Sequence, residues 1–177
     1  SIEDQESSSV YIKKVINLMK DLGCTVFAGP MYSSVGRANA ESPEDYANQW
    51  KLVKSHLSTL AKLAEKKGVI LAIEPLNRFE TDFINTVDQA LKMVKEVGSN
   101  SLKIHLDSFH MNIEEKNQHD AIIKAGNHLG HFHACGSDRG TPGGDSINWP
   151  SIKAALKKIN YQGDLVIESF TQDVKAI

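Results

Sequence analysis

The sequence predicts an α/β fold built on a parallel sheet. Short apolar runs and longer amphipathic stretches alternate strictly along the 177 residues. Five strand-like runs are found, and each but the last is followed by a helical pattern before the next run. Parallel strands need such crossover helices, whereas antiparallel ones do not. The composition, 41% hydrophobic and 24% charged, is that of an ordinary globular chain able to fill a core.

The elements follow in order. Residues 8–22 place Val10, Ile12, Val15, Ile16, Leu18 and Met19 near helical periodicity, with Gly23 positioned as a C-terminal cap. Residues 25–28 read as a short strand ending at Gly29-Pro30, before a polar loop with Ser33, Ser34, Gly36 and Arg37. Ser42-Pro43-Glu44-Asp45 combines an N-cap, a proline at the first helical position and an acidic first turn, opening a helix to about Lys67 with Gly68 as its stop. Residues 69–75 form the second strand, and Asn85 or Thr86 starts a helix through Val87, Ala90, Leu91 and Val94 to Gly98. A strand over 102–107, a helix over 120–128 and a strand over 131–135 come next. Asn148-Trp149-Pro150 opens a helix through Ile152, Ala155, Leu156 and Ile159 to Gly163, and 165–168 is the fifth strand.

Charge and composition exclude several functions. Lysine plus arginine number 20 against 22 acidic residues, for a net charge of −2, so no basic excess exists to hold nucleic acid. No run approaches 18 apolar residues, so no membrane span is predicted. Two cysteines, Cys24 and Cys135, are too few for a disulfide framework and fit a reducing compartment, so the expected location is cytoplasmic. Residues 1–9 resemble neither a signal peptide nor a translation start.

Strands buried on both faces should be almost wholly apolar. Four of these break that rule near their C-terminal ends, with Glu74, Asp107, His133 and Glu168. In parallel α/β folds that end of the sheet is where active sites are built. Alternation along the strands puts Glu74 on the face of Ala72, Glu168 on that of Val166, Asp107 on that of His105, and His133 on that of His131. Any one of the four alone is more often an ion-pair partner or a packed core group. Packing alone does not deliver Glu, Asp, His and Glu to one mouth. His105 and His131 are read as satisfied core histidines. Three carboxylates and an imidazole suit an octahedral dication such as Mn²⁺, Co²⁺ or Mg²⁺, with about two positions left for substrate oxygens. Single cysteines without CxxC spacing argue against a thiolate zinc site. Such an ion would stabilise an enediolate, and two glutamates on different strands could take and return a proton on opposite faces of a carbon.

The stretches Ile73-Glu74-Pro75-Leu76-Asn77-Arg78-Phe79-Glu80, Leu106-Asp107-Ser108-Phe109-His110-Met111-Asn112-Ile113-Glu114-Glu115 and His131-Phe132-His133-Ala134-Cys135-Gly136-Ser137-Asp138-Arg139 resemble the ketose 3-epimerases, the D-tagatose and D-psicose 3-epimerases of the xylose-isomerase-like barrel superfamily. Val166-Ile167-Glu168-Ser169-Phe170 resembles that family's last metal-ligand strand, and the segment from Gly29 to Arg37 its middle active-site loop. The resemblance implies that Glu74, Asp107, His133 and Glu168 bind one Mn²⁺ or Co²⁺, with Glu74 and Glu168 as the acid–base pair. It implies that Glu80, His110 and Arg139 hold the O1–O3 end of a free ketose and that Met31 lines the pocket for its distal end. A homo-oligomer is also expected from it. Ala134-Cys135-Gly136-Ser137-Asp138 departs from the family's more acidic, Asn-containing stretch, and Ser108 stands where Thr is common.

Other readings compete. Aldose–ketose or hydroxypyruvate isomerisation could use the same enediolate chemistry, and an inactive barrel fragment would only bind metal or sugar. A repair nuclease would need more histidines and a basic surface. A (β/α)₈ barrel takes about 250 residues and eight strands. Residues 1–177 are therefore expected to be a single domain, the C-terminal portion of such a barrel (strands four to eight), lacking the first three βα units and the last helix. The fold expected is a partial TIM barrel.

Overall fold

The computed structural model describes residues 2–36 and 42–170. Arg37 of the loop motif and the segment leading to Ile177 lie outside them. The elements are α1 (Ile2–Leu22), β1 (Val26–Gly29), α2 (Pro43–Lys67), β2 (Ile70–Ile73), α3 (Val87–Val97), β3 (Leu102–Asp107), α4 (Ser108–Glu114), α5 (Gln118–Ala125), β4 (Leu129–Ala134), α6 (Trp149–Lys158) and β5 (Leu165–Ile167). All four strand pairings are parallel and the sheet order is β1-β2-β3-β4-β5. Each strand lies beside its sequence neighbour, so the sheet winds one way. That is the order of a (β/α) barrel, here five strands of one, with β1 and β5 as open edges.

The capping signals act as their chemistry requires. The Ser42 hydroxyl accepts from the Asp45 backbone N–H, and Gly68 ends α2 in the left-handed region at φ 69°. Thr86 and Gln89 form a reciprocal capping box at the start of α3. Helix α1 begins earlier than its apolar periodicity, at Ile2 rather than residue 8. The fifth helix starts at Gln118, where the Asn117 side chain caps the Asp120 N–H, and residues 126–128 form a 3-10 turn. Helix α4, between β3 and α5, has no counterpart in the sequence reading.

The core lies between the outer face of the sheet and the helices. Leu71, Ile73, Ile104, Leu106 and Phe132 meet Leu57, Leu60, Ala61, Ala90, Met93, Val94, Ile122 and Ala155. Fully burying such side chains stabilises by about 1.5–3 kcal/mol each before chain entropy is counted. At one end of this core the rings of Tyr32, Tyr46, Trp50 and Phe83, with centroids 5.2–6.0 Å apart, clamp the loop after β2 against α2.

One irregularity sets the phase of the sheet. Ile104 pairs with Leu129, but His105 pairs with His131, so Gly130 is an extra residue in β4. A Cβ at Gly130 would lie 2.5 Å from the Lys103 Cβ, which explains why a glycine fills the bulge. Beyond it, His131 and His133 lie beside His105 and Asp107 on the inner face, while Phe132 turns to the helices.

Candidate active site

The mouth is formed by the C-terminal ends of β2 to β5. Glu74 and Asp107 are buried, and His133 and Glu168 are partly exposed. One ligand atom each from Glu74, Asp107 and His133 lies within 4.8 Å of the others, and the same holds for Asp107, Cys135 and Glu168. The His133 Nδ1 atom is 3.6 Å from both Asp107 Oδ2 and Glu168 Oε1. These distances are charge contacts rather than hydrogen bonds.

Asp107 serves two ends at once. Its Oδ1 accepts from the backbone N–H groups of Phe109 (2.6 Å) and His110 (3.4 Å), which caps α4. Its Oδ2 points into the cluster and, like His133 Nδ1, is buried with no hydrogen-bond partner. The crowding shows in the protonation equilibria. Burial, then the Asp107 carboxylate, pushes Glu74 up to about 8. Burial opposes charge on His133, but Asp107 and Glu168 outweigh it and lift the ring to about 9. The same His133 holds Glu168 below the usual carboxylate range. Three converging carboxylates, one kept protonated, and two orphaned buried ligand atoms are the donor set that a divalent cation fits.

The remaining predicted residues sit around this cluster. His110 Nδ1 accepts from the Asn77 backbone N–H (3.1 Å) and lies 2.9 Å from Asn77 Nδ2. That fixes the neutral tautomer with its proton on Nε2, which faces Glu74 Oε1 at 3.8 Å. Asn77 Nδ2 also donates to Glu80 Oε1 (3.0 Å), and Arg139 Nη1 pairs with the same oxygen at 2.9 Å. The Arg139 guanidinium lies between the rings of Phe109 and Phe170, 4.6 and 4.7 Å from their centroids. Its backbone adopts φ 61°, uncommon for a residue with a Cβ, and its carbonyl accepts from Phe170 N–H at 2.8 Å. Met31 is placed elsewhere. It lines a groove with Tyr11 and Ile12 of α1 and Leu52, Val53 and His56 of α2, which none of the other predicted residues lines.

Several supporting residues escaped the sequence reading. Asn77, three residues past Glu74, orders both His110 and Glu80. Ser108, fully buried, joins the ends of β3 and β4, accepting from Cys135 N–H (2.8 Å) and donating to Cys135 C=O (2.7 Å). Tyr32 places its hydroxyl 2.7 Å from the Glu74 carbonyl and 2.9 Å from that of Ile84. The two glutamates closing the second motif are structural. Glu114 pairs with Arg78 through both carboxylate oxygens at 3.0 Å, and Glu115 accepts from Val87 N–H at 2.7 Å, at the start of α3. His105 is a correction: it is 1% exposed, but neither ring nitrogen has a hydrogen-bond partner, so it is not a satisfied core histidine. A buried partner at such range is set by tertiary placement and leaves no local signal. Cys135, buried beside Asp107 and Glu168, has its thiol pushed up to about 12 by burial and then Asp107. No helix among the described residues is long and apolar enough to cross a membrane.

Comparison with known proteins agrees with this arrangement. The profile of the xylose isomerase-like TIM barrel matches residues 2–176. The D-psicose 3-epimerase of Enterocloster bolteae is 38% identical over 171 residues, covering 95% of this chain and 56% of its own length. The L-ribulose 3-epimerase of Mesorhizobium japonicum is 35% identical, covering 92% and 54%. A crystal structure of D-psicose 3-epimerase with D-tagatose from Clostridium cellulolyticum superposes with a TM-score of 0.90 at 34% identity, covering 95% of this chain and 58% of that one. The chain thus spans a little over half the length of these relatives. The matched profile, the sheet order and the shared structure together place the chain in the xylose isomerase-like TIM barrel family, among relatives that are ketose 3-epimerases.

Proposed function

We propose that this chain carries the reacting part of a metal-dependent ketose 3-epimerase, as one domain corresponding to strands four to eight of a (β/α)₈ barrel. The observation that carries the reading is the convergence of Glu74, Asp107, His133 and Glu168, with Asp107 Oδ2 and His133 Nδ1 buried and unpartnered. These four residues would hold one dication, Mn²⁺ or Co²⁺, with Mg²⁺ also compatible with the oxygen-rich set. When bound, such an ion polarises the substrate carbonyl and offsets the charge that builds beside it.

The chain's own groups account for the rest. Glu74 comes from the end of β2 and Glu168 from the end of β5, on either side of β3 and β4. They reach a sugar from opposite faces, so one removes the C3 proton and the other returns it with inversion. The glutamate on the side of the C3 hydrogen takes that proton, and the one on the opposite side supplies the new one. For the reverse reaction the roles exchange. The His110 Nε2–H and the Arg139 guanidinium donate to sugar oxygens that gain negative charge. Glu80 and the two phenyl rings hold Arg139 in place for that. The substrate is a free ketose of the D-psicose, D-tagatose or L-ribulose type, as the names of the relatives suggest. Two free cysteines, one of them exposed, agree with a cytoplasmic enzyme, and the open strand edges agree with closure by further barrel chain and assembly as a homo-oligomer.

The test is incubation of the chain with Mn²⁺ and D-fructose, D-tagatose or L-ribulose in D₂O, following both the C3 epimer and deuterium at C3. Epimer carrying deuterium is expected. Failure of a folded, Mn²⁺-loaded chain to form any epimer or exchange any C3 proton sinks the reading for this chain.

A further inference from the structure

We propose that His105, His131 and His133 form a second, nitrogen-rich seat for a late transition-metal dication such as Zn²⁺ or Cu²⁺, one layer beneath the carboxylate cluster and sharing His133 with it. His105 and His131 are register partners on β3 and β4, two residues below the partners Asp107 and His133. The three imidazoles meet edge to face. Ring centroids are 4.1 Å apart for His105–His133 and 5.0 Å for each of the other two pairs, and one nitrogen from each ring lies within 4.8 Å of the others.

His105 supplies the second argument. Its ring is 1% exposed and neither nitrogen makes a hydrogen bond, and the carboxylate oxygen nearest it, Glu74 Oε2, stands 3.5 Å from Nδ1. A buried polar ring without partners is costly, and a metal ion is a partner that would satisfy it. Three imidazoles select Zn²⁺, Cu²⁺ or Ni²⁺, whereas Mn²⁺ and Mg²⁺ prefer the carboxylates above. Because His133 belongs to both sets, an ion in the lower seat withdraws a ligand from the upper one. Zn²⁺ or Cu²⁺ then competes with Mn²⁺ without occupying its position.

Two metals on the whole chain, with no sugar present, separate the two seats. Cu²⁺ is added and its electron paramagnetic resonance spectrum recorded, and Mn²⁺ affinity is measured separately by the loss of free-ion signal. Nitrogen splittings from three imidazoles are expected for the unsubstituted chain. His105→Met and His131→Gln should each lose one nitrogen and weaken Cu²⁺ binding by about tenfold or more, with Mn²⁺ affinity held within about twofold in His131→Gln. His131 is partly exposed, so His131→Gln keeps the test open should His105→Met not fold. Unchanged copper spectra in both variants, the result if His56, His119 or His128 held the copper, overturn the proposal. So does a single-nitrogen spectrum in the unsubstituted chain, or a loss of Mn²⁺ affinity in His131→Gln as large as the loss for Cu²⁺. A chain that ignores Mn²⁺ but shows three nitrogens on Cu²⁺ refutes the carboxylate seat and leaves this one standing.

Discussion

Replacing Ser108 by alanine removes one oxygen atom from the place where β3 and β4 are tied together at the mouth. The side chain is fully buried and opens almost no cavity when shortened. What is lost is the partner of the Cys135 N–H at 2.8 Å and of the Cys135 C=O at 2.7 Å, both in a residue that is itself 0% exposed. A buried N–H left without an acceptor costs about 1–3 kcal/mol, and the loss at the carbonyl adds about 1 kcal/mol. The expected destabilisation is therefore about 2–4 kcal/mol. With a urea m-value of about 2 kcal/mol/M, the unfolding midpoint should fall by about 1–2 M at unchanged m. Ser58→Ala is the control, because its hydroxyl only bonds back to the Lys54 carbonyl on α2, and surface changes of that kind stay within about 0.5 kcal/mol. Equal midpoint shifts for the two variants would refute the view that Ser108 pins the strand ends.

Four further outcomes are expected. Glu168→Gln keeps the fold but abolishes epimerisation, and surviving formation of the C3 epimer removes Glu168 from the acid–base pair. Millimolar Mn²⁺ should raise the melting temperature of the chain and chelation should reverse it, as ligand linkage requires, while Asp107→Asn loses that response; an equal rise in Asp107→Asn places the ion elsewhere. Gly130→Ala forces a Cβ to within 2.5 Å of the Lys103 Cβ and should cost about 1–3 kcal/mol, read as a lower midpoint in urea; a neutral result means that the bulge relaxes freely. Glu96, bonded to Trp50 Nε1 at 3.0 Å and paired with Lys92 at 3.0 Å, is drawn down to about 2, with the Trp50 bond as the largest cause. Its folded value lies below the unfolded one, so its contribution is complete above about 4.5 and is lost as pH falls towards 2. Glu96→Gln should flatten that stretch of the stability curve, and parallel acid limbs for the two proteins would contradict it.

The strand ends were legible because charge inside a parallel sheet is rare enough to signal a purpose. Glu74, Asp107, His133 and Glu168 could be assigned to one mouth without coordinates. Helix caps such as Ser42, Thr86 and Gly68 were legible for a similar reason, since their chemistry acts within a few residues. Helix α4 was not. Its sequence, Ser-Phe-His-Met-Asn-Ile-Glu, has modest helical propensity, and it is held by Asp107, which sequence reasoning had already assigned to another task. The unsatisfied state of His105 and the bridge from Ser108 to Cys135 depend on residues about 25 positions away, which local pattern does not report. The grouping of Met31 with the α1–α2 groove has the same origin.

The extra residue at Gly130 divides β4 into two stretches that answer to different demands. Leu129, before it, is fixed by helix packing, while His131 and His133, after it, are fixed by the chemistry of the mouth. Changes of length upstream in the chain can be absorbed in the turn before the strand without touching the histidines. Deleting this single glycine would put His131 directly after Leu129 in ordinary alternation opposite His105 and Ile104, so Phe132 would stay among the helices and both histidines on the inner face. Loss of one residue should therefore be tolerated at the bulge but not between His131 and His133, where it would exchange the faces beyond it.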